Sequence, residues 1–299
     1  VTSILYGRPP AVFEPPTGAT QTSPLIPGSA ALEDLVPGSV ETAMIYAPPG
    51  VVERRYALAL ALRALKPGGR LDVMAPKDKG GSRLKKELQS FGLNFEETAK
   101  AHHRRALAVR PETLTGLDEA VTAGGPRRIE ALDAWTQPGV FAWDRVDPGS
   151  VLLLRHLPEL AGSGVDLGCG WGALARAVLV SPKVTNLRLV DLDRRAVEAA
   201  KRNIDDPRAA FEWADVRLMD ETGDLDFVVA NPPFHDGGAE DRRLGQAFVR
   251  KAAGLLKPGG VLWVVANRHL PYENEINAAF KRMKSVADIG GYKVIEAVK

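Results

Sequence analysis

Cysteine is almost absent: Cys169 stands alone in 299 residues. That excludes an internal disulfide and a zinc site built from cysteines, and it suits a reducing compartment. No apolar run approaches the roughly 20 residues that span a bilayer, and no charged-apolar-small segment opens the sequence. A cytoplasmic protein with no membrane contact and no metal is expected, most simply a monomer. One-signed charge is missing too. The net charge is +2, so no global field announces a polyanionic partner, although the basic residues are unevenly spread. The first 40 residues lack periodicity of any kind.

What is present fits two globular cores better than one, with 45% hydrophobic and 25% charged residues. Residues 1 to about 40 are rich in Pro, Gly, Ser and Thr and read as an irregular arm. Met44–Ala47 reads as a buried strand, Glu53–Leu65 as a helix, Arg70–Ala75 as a strand, Lys77–Phe91 as a basic loop and helix, and Arg105–Val109 as a strand. Three Gly-Pro or Pro-Gly turns follow. The expected organisation is a first domain over 1–125, a linker over 126–149 and a second domain over 150–299. In the second domain strands (Gly164–Leu167, Leu187–Val190, Ala210–Trp213, Phe227–Ala230, Val261–Ala266, Val286–Ile289, Lys293–Val298) alternate with helices, among them Ala173–Val180, Ala196–Asn203, Arg242–Leu256 and Glu273–Lys284. Alternation of this kind predicts an α/β fold, a mostly parallel sheet covered on both faces, with the closing pair an antiparallel edge.

An internal echo defines the first half. Leu65-Lys66-Pro67-Gly68-Gly69 recurs as Leu256-Lys257-Pro258-Gly259-Gly260, and Met44-Ile45-Tyr46-Ala47-Pro48-Pro49 echoes Val228-Val229-Ala230-Asn231-Pro232-Pro233. Two matches in the same order indicate a duplicated domain. The first copy has Ala47 in place of Asn231. Counting back by the spacing of the second copy, its glycine loop falls before residue 1, so it is expected to be truncated and unable to do chemistry.

The second copy carries the chemistry. Val165-Asp166-Leu167-Gly168-Cys169-Gly170-Trp171-Gly172 runs from strand through glycine turn into helix, a loop whose backbone can approach a ligand closely. A dehydrogenase would place its glycines as G-x-G-x-x-G, whereas here Ala173 occupies the last place. An adenosyl cofactor needs close backbone contact, a carboxylate for the ribose hydroxyls and a polar edge for adenine. Gly168 and Gly170 give the first. Asp191, at the end of the next strand, suits the ribose, with Asp193 able to replace or share it. Asp215 suits the adenine amine and Asp166 the methionine amine, with Leu192, Val216 and Asn231 completing the expected contacts. Each aspartate alone is as readily a helix cap; the ordered series carries the reading. Asn231-Pro232-Pro233-Phe234 follows an apolar strand. An amine on an aromatic ring is a poor nucleophile because its lone pair is shared with the ring. The Asn231 oxygen and the Pro232 carbonyl can accept its N–H groups and turn the lone pair outward, prolines hold them still, and Phe234 can stack on the base. His235 can contact the base or help remove the proton. Phe141, Trp143 and Asp144 are candidates to gate the pocket. The predicted reaction is N-methylation by S-adenosylmethionine.

These residues resemble the bacterial ribosomal-RNA guanine-N2 methyltransferases of the class I, Rossmann-like fold. The resemblance rests on Pro138-Gly139-Val140-Phe141, Asp147 and Gly149-Ser150, the Val165–Gly170 turn, Asn231 through Gly237, Val265-Ala266-Asn267 with Leu270-Pro271-Tyr272, and Gly291-Tyr292-Lys293-Val294. It implies transfer of a methyl group to the N2 amine of a guanine, in small-subunit ribosomal RNA or the subunit. It also implies a degenerate N-terminal copy of the domain, although here that half is short. Asn-Pro-Pro alone is shared with glutamine and adenine methylases, the alternative reading. Basic residues cluster in the first half (Lys77, Lys79, Arg83, Lys85, Lys86, then Lys100, His102, His103, Arg104, Arg105), joined by Arg127 and Arg128. They are candidates to hold RNA phosphates.

Overall fold

The computed structural model describes residues 2–233, 235–236, 239–240, 242–270 and 272–299, with 235, 236, 239, 240 and 242 described by their backbone alone. The chain divides into two compact units, Val1–Gly125 and Pro126–Lys299.

The first unit contains β1 (Ser3–Tyr6), β2 (Thr20–Gln21), β3 (Val40–Tyr46), α1 (Val51–Ala64), β4 (Leu65–Pro76), α2 (Leu84–Ser90), β5 (Phe95–Lys100), β6 (His103–Val109) and α3 (Leu117–Gly124). Its sheet runs β2-β1-β3-β4-β6-β5. The second contains β7 (Arg127–Ile129), β8 (Ala134–Thr136), α4 (Pro148–His156), β9 (Gly162–Leu167), α5 (Ala173–Val178), β10 (Val184–Asp191), α6 (Arg194–Asn203), β11 (Ala209–Trp213), β12 (Leu225–Ala230), β13 (His235–Asp236), β14 (Ala239–Glu240), α7 (Arg242–Leu255), β15 (Leu256–Asn267), α8 (Tyr272–Ala279), β16 (Arg282–Ile289) and β17 (Tyr292–Val298). Its main sheet runs β11-β10-β9-β12-β15-β17-β16, parallel as far as β15, with β17 antiparallel to both neighbours. Successive β12 residues face opposite cores. Phe227 and Val229 pack with α4 and α5 on one side, and Val228 and Ala230 with α7 and α8 on the other. This is the two-face alternation that a buried parallel strand imposes.

The duplication extends to register. β3 pairs Val40 with Leu65 and then jumps to Thr42 with Arg70; β12 pairs Leu225 with Leu256 and then jumps to Phe227 with Val261. In both, the Lys-Pro-Gly-Gly turn is the skipped segment. Arg110 N–H donates to Gly69 at 2.8 Å, and Lys299 N–H to Gly260 at 2.9 Å. A Cβ on Gly69 or on Gly260 would lie 2.8 Å from a backbone oxygen, so the close approach requires glycine at both.

Three expectations change. The arm is not irregular throughout: β1 lies between β2 and β3, parallel to both, with Ile4 fully buried. β1 thus holds the place that β9 holds in the second unit, and Gly7 (φ +82°) follows it as Gly168 (φ +76°) follows β9. The counterpart of the glycine turn is therefore at Gly7 and not before residue 1. It is followed by Arg8-Pro9-Pro10 and has no alternating glycines. What the first copy lacks is the helices after this turn. Residues 7–39 give a two-residue strand and two single 3-10 turns, Ala11–Phe13 and Leu32–Asp34. One sheet face is consequently left as a shallow trough, with Phe13 packed over Met44 and Met74, and Val109 is 59% exposed. Second, residues 126–149 fold with the second unit. β7 and β8 form a hairpin whose Ala134 is buried with Trp171 and Ala199, and the Asn203 side chain bonds both the N–H and the C=O of Trp135. Third, the helix predicted over Glu273–Lys284 is shorter, because edge pairing with β17 draws residues 282–289 into β16; the basic loop and helix expected over Lys77–Phe91 are present, with Gly80 (φ +103°) in the loop ahead of α2.

Candidate functional site

The glycine turn is pinned to the end of β10. Gly168 and Cys169 donate their N–H groups to the Val190 carbonyl at 2.8 and 3.0 Å, and Gly170 N–H donates to Asp191 Oδ2 at 2.8 Å. Gly170 is left-handed (φ +54°), and a Cβ there would meet nothing within 4 Å. Its bare side faces open space. That space is a cavity of about 230 Å³ lined by Gly168, Gly170, Asp191, Leu192, Asp215, Val216, Asn231 and Pro233, with Phe141 at its edge and Leu244 and Phe248 from α7. A smaller recess continues behind Phe141 and reaches Asp147, Ser150 and Asn231. A larger trough of about 870 Å³ lies on that sheet face of the first unit. It lies where the second unit carries helices, and its Arg105 and Asp72 are paired with each other.

Four carboxylates divide the work around the turn. Asp166, in β9, is fully buried, and neither oxygen has a hydrogen bond of good geometry among the described residues. Burial, and then the Asp191 charge, push its pKa up to about 8, offset slightly by the Ala175 amide. Asp191 is half-buried at the cavity wall. Burial raises it to about 6 against the N–H groups of Asp193 and Gly170. Asp193 is already engaged: it caps α6 through Arg195 N–H and forms a bidentate pair with the Arg195 guanidinium at 2.8–2.9 Å. Asp191, held by backbone amides alone, keeps lone pairs for a diol, whereas both Asp193 oxygens are engaged by Arg195. Asp215 caps the single 3-10 turn Val216–Leu218 and pairs with Arg217 at 2.6 and 2.9 Å. A buried, unsatisfied carboxyl beside a glycine cradle fits a cationic amino-acid ligand with an adenosyl group. Asp166 and Gly168 to Gly170 would hold its methionine end, Asp191 its ribose and Val216 its base, with Asp215, engaged by Arg217 as Asp193 is by Arg195, lining the same wall.

Asn231 follows β12 and is 9% exposed. Its Nδ2 donates to Asp147 Oδ2 at 2.8 Å and to Ser150 Oγ at 2.9 Å, while its Oδ1 is buried with no partner among the described residues. Pro232 is buried and Pro233 lines the cavity. Phe234 lies outside the described residues, as does the His235 side chain; the His235 backbone pairs with Glu240 in a two-residue ladder. Of the three proposed gating residues, Phe141 reaches the cavity and is 56% exposed, whereas Asp144 pairs with Arg145. Sequence reasoning missed Arg217 and Phe248, which carry no motif, and the link from Asn231 to Asp147, 84 residues away. Among the described residues no group of His, Cys, Asp or Glu could hold a metal ion, and no helix is long and apolar enough to cross a membrane.

In the first unit the matching loop is blocked. Pro48 and Pro49, counterparts of Pro232 and Pro233, have their carbonyls taken by Arg54 Nη1 at 2.9 and 2.8 Å, and Arg54 is locked to Glu87 by two further 2.7 Å bonds. Their carbonyls serve the fold, and Ala47 offers no carboxamide beside them.

Sheet order, glycine turn, carboxylate series and Asn-Pro-Pro corner together define a class I methyltransferase that uses S-adenosylmethionine. Residues 131–296 match the methyltransferase small domain. The chain is 31% identical over 269 residues to the ribosomal RNA small subunit methyltransferase C of Shewanella halifaxensis, covering 87% of this chain and 78% of that one. It is 32% identical to the Shewanella sediminis protein of the same name, covering 85% and 76%. Among solved structures, the T. thermophilus 16S rRNA N2 G1207 methyltransferase in complex with AdoMet and guanosine superposes with a TM-score of 0.79 and 26% identity, covering all of this chain and 88% of that one. The chain belongs to the ribosomal RNA small subunit methyltransferase C family, within the methyltransferase small-domain proteins.

Proposed function

We propose that this enzyme methylates the exocyclic N2 amine of a guanine in small-subunit ribosomal RNA, as a cytoplasmic monomer acting on the RNA or the subunit. The observation that carries the reading is the Asn231 carboxamide: its N–H side is consumed by the protein and its oxygen is left for a ligand N–H. When bound, S-adenosylmethionine supplies a methyl on a positively charged sulfur, which a nitrogen lone pair accepts while the electrons of the broken C–S bond stay on sulfur. The residues of the chain prepare the nitrogen. Asn231 Oδ1 and the Pro232 carbonyl accept the two N–H groups and draw the lone pair out of conjugation with the ring. Phe234 and His235, whose side chains lie outside the described residues, are assigned stacking on the base and removal of the proton released from nitrogen. A guanine amine within a duplex cannot reach such a corner, so the target base is unpaired or flipped. The first unit contributes RNA binding: Lys77 and Arg83 are exposed between β4 and α2 and Lys85 and Lys86 on α2 itself, whereas Arg104 and Arg105 are paired to Glu97 and Asp72. The relatives named for ribosomal RNA and the guanosine-bound neighbour support the choice of base.

Tritiated S-adenosylmethionine and undermethylated ribosomal RNA or subunits, digested to nucleosides after reaction, test this. Label is expected in N2-methylguanosine and lost with Asn231→Ala. Label in another nucleoside would overturn the guanine assignment, and label only in protein or a small amine would favour the alternative acceptor of the same corner.

A further inference from the structure

Asp147, Gly149, Ser150 and Tyr292 are motif residues that the reaction itself does not use, and the structure gathers them behind Asn231. Asp147 caps α4: its Oδ2 accepts Ser150 N–H at 2.9 Å, and the same oxygen accepts Asn231 Nδ2. Ser150 Oγ takes the second N–H of that amide, in a setting where Ser150 and Asn231 are both buried. Gly149 lets the cluster close, since a Cβ there would sit 3.0 Å from the Tyr292 ring and from Asp147 Oδ2. Burial and the Asp147 charge raise the Tyr292 pKa, so the phenol stays neutral beside the carboxylate.

An amide can sit either way round, and shape alone does not choose. Chemistry does. An ionised carboxylate only accepts hydrogen bonds, so reversing Asn231 would place its oxygen against Asp147 with no hydrogen between them. We infer that Asp147 and Ser150 are positioning residues that fix the Asn231 carboxamide with its oxygen toward the acceptor base, and so make the site demand an N–H donor at the position to be methylated. The charge behind the amide also shifts electron density toward Oδ1, as hydrogen bonds in a chain polarise one another. This inference rests on the reading of Asn231 as the amine acceptor.

The test is a double-mutant cycle on the full chain, run on whichever amine the wild type methylates, with Asp147→Ala, Asp147→Asn, Ser150→Ala and Asn231→Ala. S-adenosylmethionine affinity and the binding preference for guanosine over inosine, which lacks the 2-amino group, are measured in parallel. Asp147→Ala is expected to lower kcat about tenfold or more, leave cofactor affinity within about twofold, and erode the guanosine preference. Asp147→Asn, which still caps α4 but no longer dictates the amide, is expected to fall between. In the Asn231→Ala background, loss of Asp147 should cost little more. Should Asp147→Ala not fold, Ser150→Ala and Asp147→Asn carry the same comparison. Unchanged kcat in these variants, or an undiminished loss in the Asn231→Ala background together with lost cofactor affinity, would overturn the inference. If the wild type methylates an amine other than guanine N2, the base assignment fails while the cycle still reports on the clamp.

Discussion

Asn231 is the residue on which substrate chemistry turns. A buried carbonyl oxygen with no partner costs stability, and folds keep such groups where a ligand supplies the missing donor. Asn231→Ala should leave the fold intact and reduce kcat on the order of 100-fold, by analogy with loss of one preorganised group at a reacting centre; a steady-state assay at saturating cofactor checks it. Asp166 gives a second prediction at this scale. Its pKa, raised to about 8 from the 3.8 of an ordinary aspartate, means the native unliganded protein holds a proton that the unfolded chain has shed above pH 4. Stability of the unliganded protein should therefore fall as pH rises from about 4 toward 8. A cationic ligand favours the ionised forms of Asp166 and Asp191, so S-adenosylmethionine should bind more tightly as pH rises from about 6 to 8, with proton release visible as a buffer-dependent binding enthalpy. A flat pH profile would remove these carboxylates from the cofactor site.

Among the elements, the turn between β9 and α5 separates a folding role from a binding role within a few residues. Gly170→Ala places a Cβ in open space, so it costs only the left-handed backbone penalty of about 1 kcal/mol, yet the methyl occupies the side from which a ligand approaches. Cofactor affinity should drop well beyond what the small change in melting temperature implies, as calorimetry on the variant would show. This turn and the Asn-Pro-Pro corner were readable in the sequence because their chemistry is local: glycines with no other use, and an asparagine fixed by adjacent prolines. β1 was not, because four residues running into Gly7 and two prolines have too few positions to show an alternation; its pairing with β2 and β3 reveals it. The Asp147–Asn231 bond was hidden for the opposite reason, being a contact between residues 84 positions apart in which neither carries a trace of the other. Asp193 and Asp215 show a third kind of limit. Both serve as caps and ion-pair partners in the fold, and a sequence cannot apportion one carboxylate among such duties.

Over the whole molecule, the repeated Lys-Pro-Gly-Gly register break marks two copies of one fold, one of which lacks the alternating glycines and the helices that follow them and engages its corner with Arg54. That engagement is structural. Arg54→Met leaves Glu87 buried and unpaired and should destabilise the first unit by about 3–5 kcal/mol, with Glu87→Leu restoring much of it; denaturant melts of the single and double variants check this. The remaining role of the first unit is tested by replacing Lys77, Arg83, Lys85 and Lys86 with alanine. The slope of log affinity for RNA against log salt should become shallower by about 3, with cofactor binding unaltered.

The most direct measurement is a crystal structure of this chain with S-adenosylhomocysteine and guanosine. Guanine N2 is expected within about 3 Å of Asn231 Oδ1, with Asn231 Nδ2 still on Asp147 and Ser150. Guanine bound with its 2-amino group turned away from Asn231, or the Asn231 amide released from Asp147, would contradict this.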